Sequence, residues 1–161
     1  MMLLIPNKKA IDLIKGFESF KPKTYLDVAG VPTIGWGTSK GIKLGMTTTK
    51  DQAEEWINRD VAEVESAIKS LLQVSCGENQ MCALISLVYN IGIPHFETST
   101  LLKKLNAGDV AGASQEFVRW DHSAGREVFG LLNRRIKEQS LFLTPDDFPN
   151  KNPLAKESVN D

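Results

Sequence analysis

Residues 17–37 read FESFKPKTYLDVAGVPTIGWG, and the folding of this stretch governs the reading of the whole chain. Phe17 closes an apolar stripe with Ala10 and Ile14 at helical spacing, and Asn7 is a suitable N-cap, which predicts a helix over residues 8–17. Gly16 and Pro22 limit its C-terminal extent. Residues 23–38 are rich in Thr, Val, Ile, Tyr and Trp, and broken by Gly30, Pro32, Gly35 and Gly37. That pattern predicts a strand and hairpin. Glu18, Asp27 and Thr33 thus fall on a helix end, on the first hairpin strand or its turn, and just beyond that turn.

Downstream, TTTKDQAEEWINRDVAEVESAIKSLL is the longest helical segment, with Ala53, Trp56, Ile57, Val61, Val64, Ile68 and Leu71 on one buried face. Thr48 followed by Asp51 resembles a capping box. NQMCALISLVYNIGI, after Gly77, is apolar nearly all round and reads as a core helix. Shorter helices are expected near 98–106 and after an Asp109 cap, and a last one near 130–142. Pro145, Pro149 and Pro153 mark residues 144–161 as an extended tail, with Phe148 and Leu154 available to pack on the bundle. The fold class is α+β. A small N-terminal hairpin lobe, about 18–47, is joined by the long helix to a mainly helical lobe, about 72–143 plus the N-terminal helix. Residues 1–143 form one domain.

Composition narrows the function. Of 161 residues, 42% are apolar and 24% charged, as in ordinary globular proteins, which argues against disorder or a fibre. The formal net charge of −1 offers no basic excess for nucleic acid. The opening MMLLIP has neither a basic n-region nor the apolar length of a signal peptide or membrane span, so a cytoplasmic origin without stable membrane insertion is expected. Cys76 and Cys82, six apart in an expected helix, would point in different directions and stay reduced. His95 and His122 lack metal-ligand spacing to each other or to the cysteines, and both read as loop residues.

Glu18 directly follows apolar Phe17, where partial desolvation would favour the protonated form that a general acid needs. Asp27 lies beside polar backbone and solvent, which favour its ionised form. Two carboxyls in contrasting environments make the acid and base partnership of glycoside hydrolysis, and Thr33 adds a hydroxyl to hold water. Solvated helix-end glutamates and turn aspartates are common, however. With 11 Glu, 9 Asp and 9 Thr in the chain, one Glu, one Asp and one Thr at fixed offsets arise by composition at a frequency of about 0.03.

Longer blocks carry more. Glu18, Asp27 and Thr33 at these intervals resemble the Glu–Asp–Thr triad of the phage-type lysozymes, glycoside hydrolase family 24. GFES, YLDVAGVPTIGWGTS, NIGIPHFETSTLLKKLNAGD, FVRW and GLLNRRIKEQSLF resemble successive blocks of that family, in order, from about residue 8 to 143. The resemblance implies a lysozyme-like fold and a muramidase that cuts the bond between N-acetylmuramic acid and N-acetylglucosamine in peptidoglycan. Glu18 would be the acid, and Asp27 with Thr33 would activate water. Arg134 would pair with Glu18, with Arg135 as its competitor for that role. Tyr89 and Asn90 would line the cleft, and Ser99 and Thr100 would contact glycan or peptide, although Tyr89 also reads as core and Ser99 as a helix cap. Trp36 reads as hairpin support, and Trp56 and Trp120 as core.

No cofactor or metal is implied. The resemblance further implies a monomeric endolysin, made in the host cytoplasm and released by a separate holin to act on the wall from the periplasm. Two other readings are a glycan-binding module that kept the fold without activity and a virion-associated lysozyme used at entry.

Overall fold

The structure is a computed structural model, and it describes residues 7–123, 126–127 and 129–146. The first helix, α1 (Lys8–Phe17), starts where the Asn7 side chain accepts from the Ala10 amide at 3.0 Å. It ends at Glu18, whose backbone turns extended while its N–H still donates to Ile14 O. Ala10 and Ile14 of the stripe read from the sequence are buried in the core together with Ile11, while Phe17, the third residue of that stripe, is half-buried.

The hairpin pairs β1 (Lys21–Leu26) with β2 (Pro32–Gly35), antiparallel, with Tyr25 opposite Thr33 and Leu26 opposite Pro32. The register shifts between Lys21 and Tyr25. Residues 46–48 run along β1: Thr24 donates to Met46 O, Thr48 donates to Pro22 O, and Lys23 bridges Thr47. That pairing explains one departure from expectation. The N-cap of α2 (Lys50–Leu71) is Thr49, not Thr48, and its side chain accepts from the Gln52 amide at 3.2 Å. Thr48 is held extended beside β1, so the helix starts one residue later.

Helix α2 buries Ala53, Ile57, Val61, Val64 and Ile68, and links the hairpin lobe to the rest. Helix α3 (Glu78–Ile91) runs through the core, burying Cys82 to Val88 without interruption. Its N-terminus receives a cap from far along the chain: the Asp146 carboxylate accepts from the amides of Glu78 and Asn79 at 3.0 and 2.8 Å. Residues 144–146 therefore pack on the bundle, and Phe148 and Leu154 lie outside the described residues. Cys76 precedes α3 rather than lying within a helix, because the helix opens at Gly77; both cysteines are free thiols.

Four more helices complete the described bundle: α4 (Ile93–Glu97), α5 (Thr100–Asn106), α6 (Val110–Glu116) and α7 (Phe129–Leu143). Asp109 caps α6 as expected, accepting from the Gly112 amide at 2.8 Å. Helix α4 is an addition to the sequence reading, and it places His95 on a helix rather than in a loop. A short antiparallel pair, β3 (His122–Ser123) with β4 (Arg126–Glu127), is another, and it holds His122. Trp120 packs against the core from a half-buried position, beside His95 at 5.8 Å between ring centroids; Trp56 is also half-buried, so neither lies fully within the core. Among the described residues, no helix is long and apolar enough to cross a membrane.

Candidate active site

Glu18 stands where α1 gives way to the hairpin, and its side chain is 20% exposed. Two groups hold it and a third senses its charge. Arg134, on α7, donates from Nη1 to Glu18 Oε2 at 3.1 Å. Gly37 passes so close that a Cβ there would lie 2.9 Å from Oε1 and 3.0 Å from the carboxyl carbon. Tyr25, on β1, feels the Glu18 and Asp27 charges: burial first, and then those two carboxylates, push its phenol up from the ordinary value.

Arg134 is 5% exposed and fully engaged. Its Nε donates to Glu138 Oε2 at 3.1 Å, its Nη2 to Ser86 O at 3.0 Å, and its guanidinium lies 4.8 Å above the Phe17 ring. A guanidinium with every nitrogen bonded and one face stacked has little rotational freedom, so it presents a fixed donor to Glu18. Arg135 turns the other way. Completely buried, it donates to Trp120 O at 2.9 Å, to Glu138 Oε1 at 2.5 Å and to the amide oxygen of Asn90. Desolvation lowers its pKa from the ordinary value, while Glu138 opposes that shift.

Asp27 belongs to the hairpin turn. Its Oδ1 accepts from the amides of Ala29 and Val31 at 2.8 and 2.9 Å, and its own N–H and C=O bond Val31 O and the Gly30 amide. Gly30, at φ +81°, supplies the left-handed residue that this turn needs. All of these side-chain bonds fall on one carboxylate oxygen, so the turn fixes the carboxylate and leaves Oδ2 for solvent or substrate. Thr33 is 5% exposed and donates its hydroxyl hydrogen to Val31 O at 2.8 Å, which leaves its lone pairs free to accept.

The other candidates divide. The Tyr89 hydroxyl donates to Trp36 O at 2.7 Å, tying α3 to the hairpin, and burial pushes that phenol well above its ordinary value. Trp36 itself packs on Phe20 at 5.1 Å and under Lys15 at 4.3 Å, as hairpin support. Asn90 is exposed, with its oxygen held by Arg135. The Ser99 hydroxyl is used entirely by the fold: it caps α5 by accepting from the Leu102 amide and donates to Phe96 O. Thr100 is exposed at the start of α5. Among the described residues, no group of His, Cys, Asp or Glu side chains is placed to hold a metal ion.

Sequence reasoning overlooked Ser86, Glu138 and Gly37. Two signals were available: Glu138 lies three and four residues from the paired arginines, and Ser86 interrupts an apolar run four residues before Asn90.

A family model described as phage lysozyme matches residues 15–138, from the end of α1 to Glu138. The chain belongs to the phage lysozyme family. It is thereby a glycoside hydrolase. This phage lysozyme is 40% identical over 140 residues to an endolysin of Acyrthosiphon pisum secondary endosymbiont phage 1, covering 84% of this chain and 96% of that protein. It is also 40% identical over 129 residues to a SAR-endolysin of Enterobacteria phage P21, covering 80% of this chain and 78% of that one. In structure it resembles the endolysin from Escherichia coli O157:H7 phage FAHEc1, with a TM-score of 0.74 and 36% identity over 91% of this chain and 98% of that chain.

Proposed function

We propose that this phage lysozyme is an endolysin whose muramidase site is built from Glu18, Asp27 and Thr33. The β-1,4 bond between N-acetylmuramic acid and N-acetylglucosamine is the bond cut. The observation that carries this reading is the Glu18 carboxyl, which is confined by Gly37 and held on one oxygen by Arg134, together with a turn that fixes Asp27 through Oδ1.

Glu18 gives its proton to the glycosidic oxygen as the C1–O bond breaks. A water donates one hydrogen to Asp27 Oδ2 and the other to the Thr33 hydroxyl, and its free lone pair attacks C1. The proton it loses passes to Asp27. With water between the carboxylate and the sugar, the reaction inverts the anomeric centre, which needs the carboxyls about 6.5–9.5 Å apart. Tyr89, Asn90 and Thr100 contact the glycan or its peptide. Ser99 is left out of that set, because its hydroxyl is spent on the α5 cap.

The protein works as a monomer on the wall from the periplasmic side, after synthesis in the host cytoplasm and release by a holin. Loss of turbidity of permeabilised Gram-negative cells tests the assignment. Wild type clears the suspension and Glu18→Gln does not; equal clearing by both would remove Glu18 from the chemistry.

A further inference from the structure

Two arginines adjacent in sequence hold opposite parts of the site, and one buried carboxylate joins them. Glu138 is completely buried. Its Oε2 accepts from Arg134 Nε at 3.1 Å and from Ser86 Oγ at 2.5 Å, and its Oε1 accepts from Arg135 Nη1 at 2.5 Å. Beyond that hub, Arg134 reaches Glu18, and Arg135 reaches the exposed Asn90.

We propose that Glu138 is a positioning residue that sets both the acid and one glycan-binding amide, through Arg134 and Arg135. This rests on the muramidase reading above. Arg134 spends two of its nitrogens on Ser86 O and Glu138, so the third, Nη1, has one direction left, toward Glu18. Arg135 spends Nε on Trp120 O and Nη1 on Glu138, which aims Nη2 at Asn90. Because a guanidinium can only donate, Asn90 must turn its oxygen inward and present its NH₂ to solvent. The ligand group at Asn90 is therefore an acceptor, such as the carbonyl of an N-acetyl group or of a stem-peptide bond.

The charges around the hub also require it. Arg134, Arg135 and Glu138 come from α7, Glu18 from the end of α1, and α3 contributes the neutral Ser86, Tyr89 and Asn90. The two buried guanidinium groups share the one completely buried carboxylate, and removing Glu138 leaves Arg135 with no anionic hydrogen-bond partner among the described residues.

Steady-state kinetics of Glu138→Gln on soluble, uncross-linked peptidoglycan fragments tests this, with folding checked by circular dichroism. The expected result is a kcat reduced about tenfold or more, since small misplacements at a reacting centre carry large rate penalties, together with a raised KM. Arg134→Lys lowers kcat with little change in KM, and Asn90→Ala raises KM with little change in kcat. A folded Glu138→Gln protein with wild-type kcat and KM would overturn the proposal, because a purely structural residue would move the melting temperature alone. Should Glu138→Gln not fold, the charge-balanced pair Glu138→Gln with Arg135→Gln replaces it; impaired kcat and KM support the proposal, and wild-type constants overturn it. Glu18→Gln is assayed in parallel. Wild-type turnover there defeats the muramidase site itself, whereas an inactive Glu18→Gln beside an unimpaired Glu138→Gln defeats the positioning role alone.

Discussion

Gly37 leaves Glu18 no room on its hairpin side: a Cβ at residue 37 would stand 2.9 Å from Oε1, at a backbone φ of +85°. The contact with Arg134 closes the other side at 3.1 Å. The acid is thus held between a backbone and a buried cation, and each side can be perturbed separately.

Gly37→Ala would strain the backbone and displace the carboxyl. The left-handed conformation costs a non-glycine residue about 1–2 kcal/mol, and the displaced acid adds a rate loss of about tenfold or more. Gly108 is the control, because it has the same φ of +85° and no atom within 4 Å of an added Cβ. Gly108→Ala should show a similar drop in stability on thermal melting and keep wild-type kcat. Equal rate losses in both variants would mean that strain alone, not contact with Glu18, limits activity.

Asp27→Asn separates the turn from the chemistry. An asparagine Oδ1 still accepts from the amides of Ala29 and Val31, so melting should change little. Removing the base should lower kcat by between about 10²- and 10⁴-fold. Asp27→Ala loses both functions and should be less stable as well as inactive. An active, folded Asp27→Asn would show that Asp27 serves only the turn.

Tyr89 links stability to alkaline pH. Burial raises its phenol in the folded state, so the contribution is complete below the unfolded phenol value, about 10. Above that pH the unfolded chain ionises while the folded protein keeps its proton, and stability falls as pH rises. Tyr25, raised for the same first reason, adds to the slope. Denaturant titrations from pH 8 to 11 should show Tyr89→Phe losing stability less steeply than wild type. At neutral pH the variant should be less stable by about 1–2 kcal/mol, because Trp36 O loses its donor.

How much of this could be read beforehand follows sequence separation. The Asn7 and Asp109 caps, the α1 stripe, the hairpin and the buried face of α2 are local patterns, and each is visible within one turn or one strand. The α2 cap was displaced by one residue because Thr48 answers to Pro22, 26 positions away, rather than to its own helix. Helix α4 is too short for periodicity to show. The support of the site is non-local throughout: Arg134 to Glu18 spans 116 residues, Ser86 to Glu138 spans 52, and Arg135 to Asn90 spans 45. Residue types and ordered blocks pointed to Glu18, Asp27 and Thr33, while the carboxylate that organises the arginines emerged with the packing of α7 on α3.

The central claim is hydrolysis of the muramic acid–glucosamine bond with Glu18 as its acid. Mass spectrometry of the soluble products from a complete peptidoglycan digest tests it most directly. The account predicts disaccharide-peptides ending in a hydrated, reducible N-acetylmuramic acid from wild type, and none from Glu18→Gln. Anhydro-muramic ends, reducing N-acetylglucosamine ends, or the same products from Glu18→Gln would contradict it.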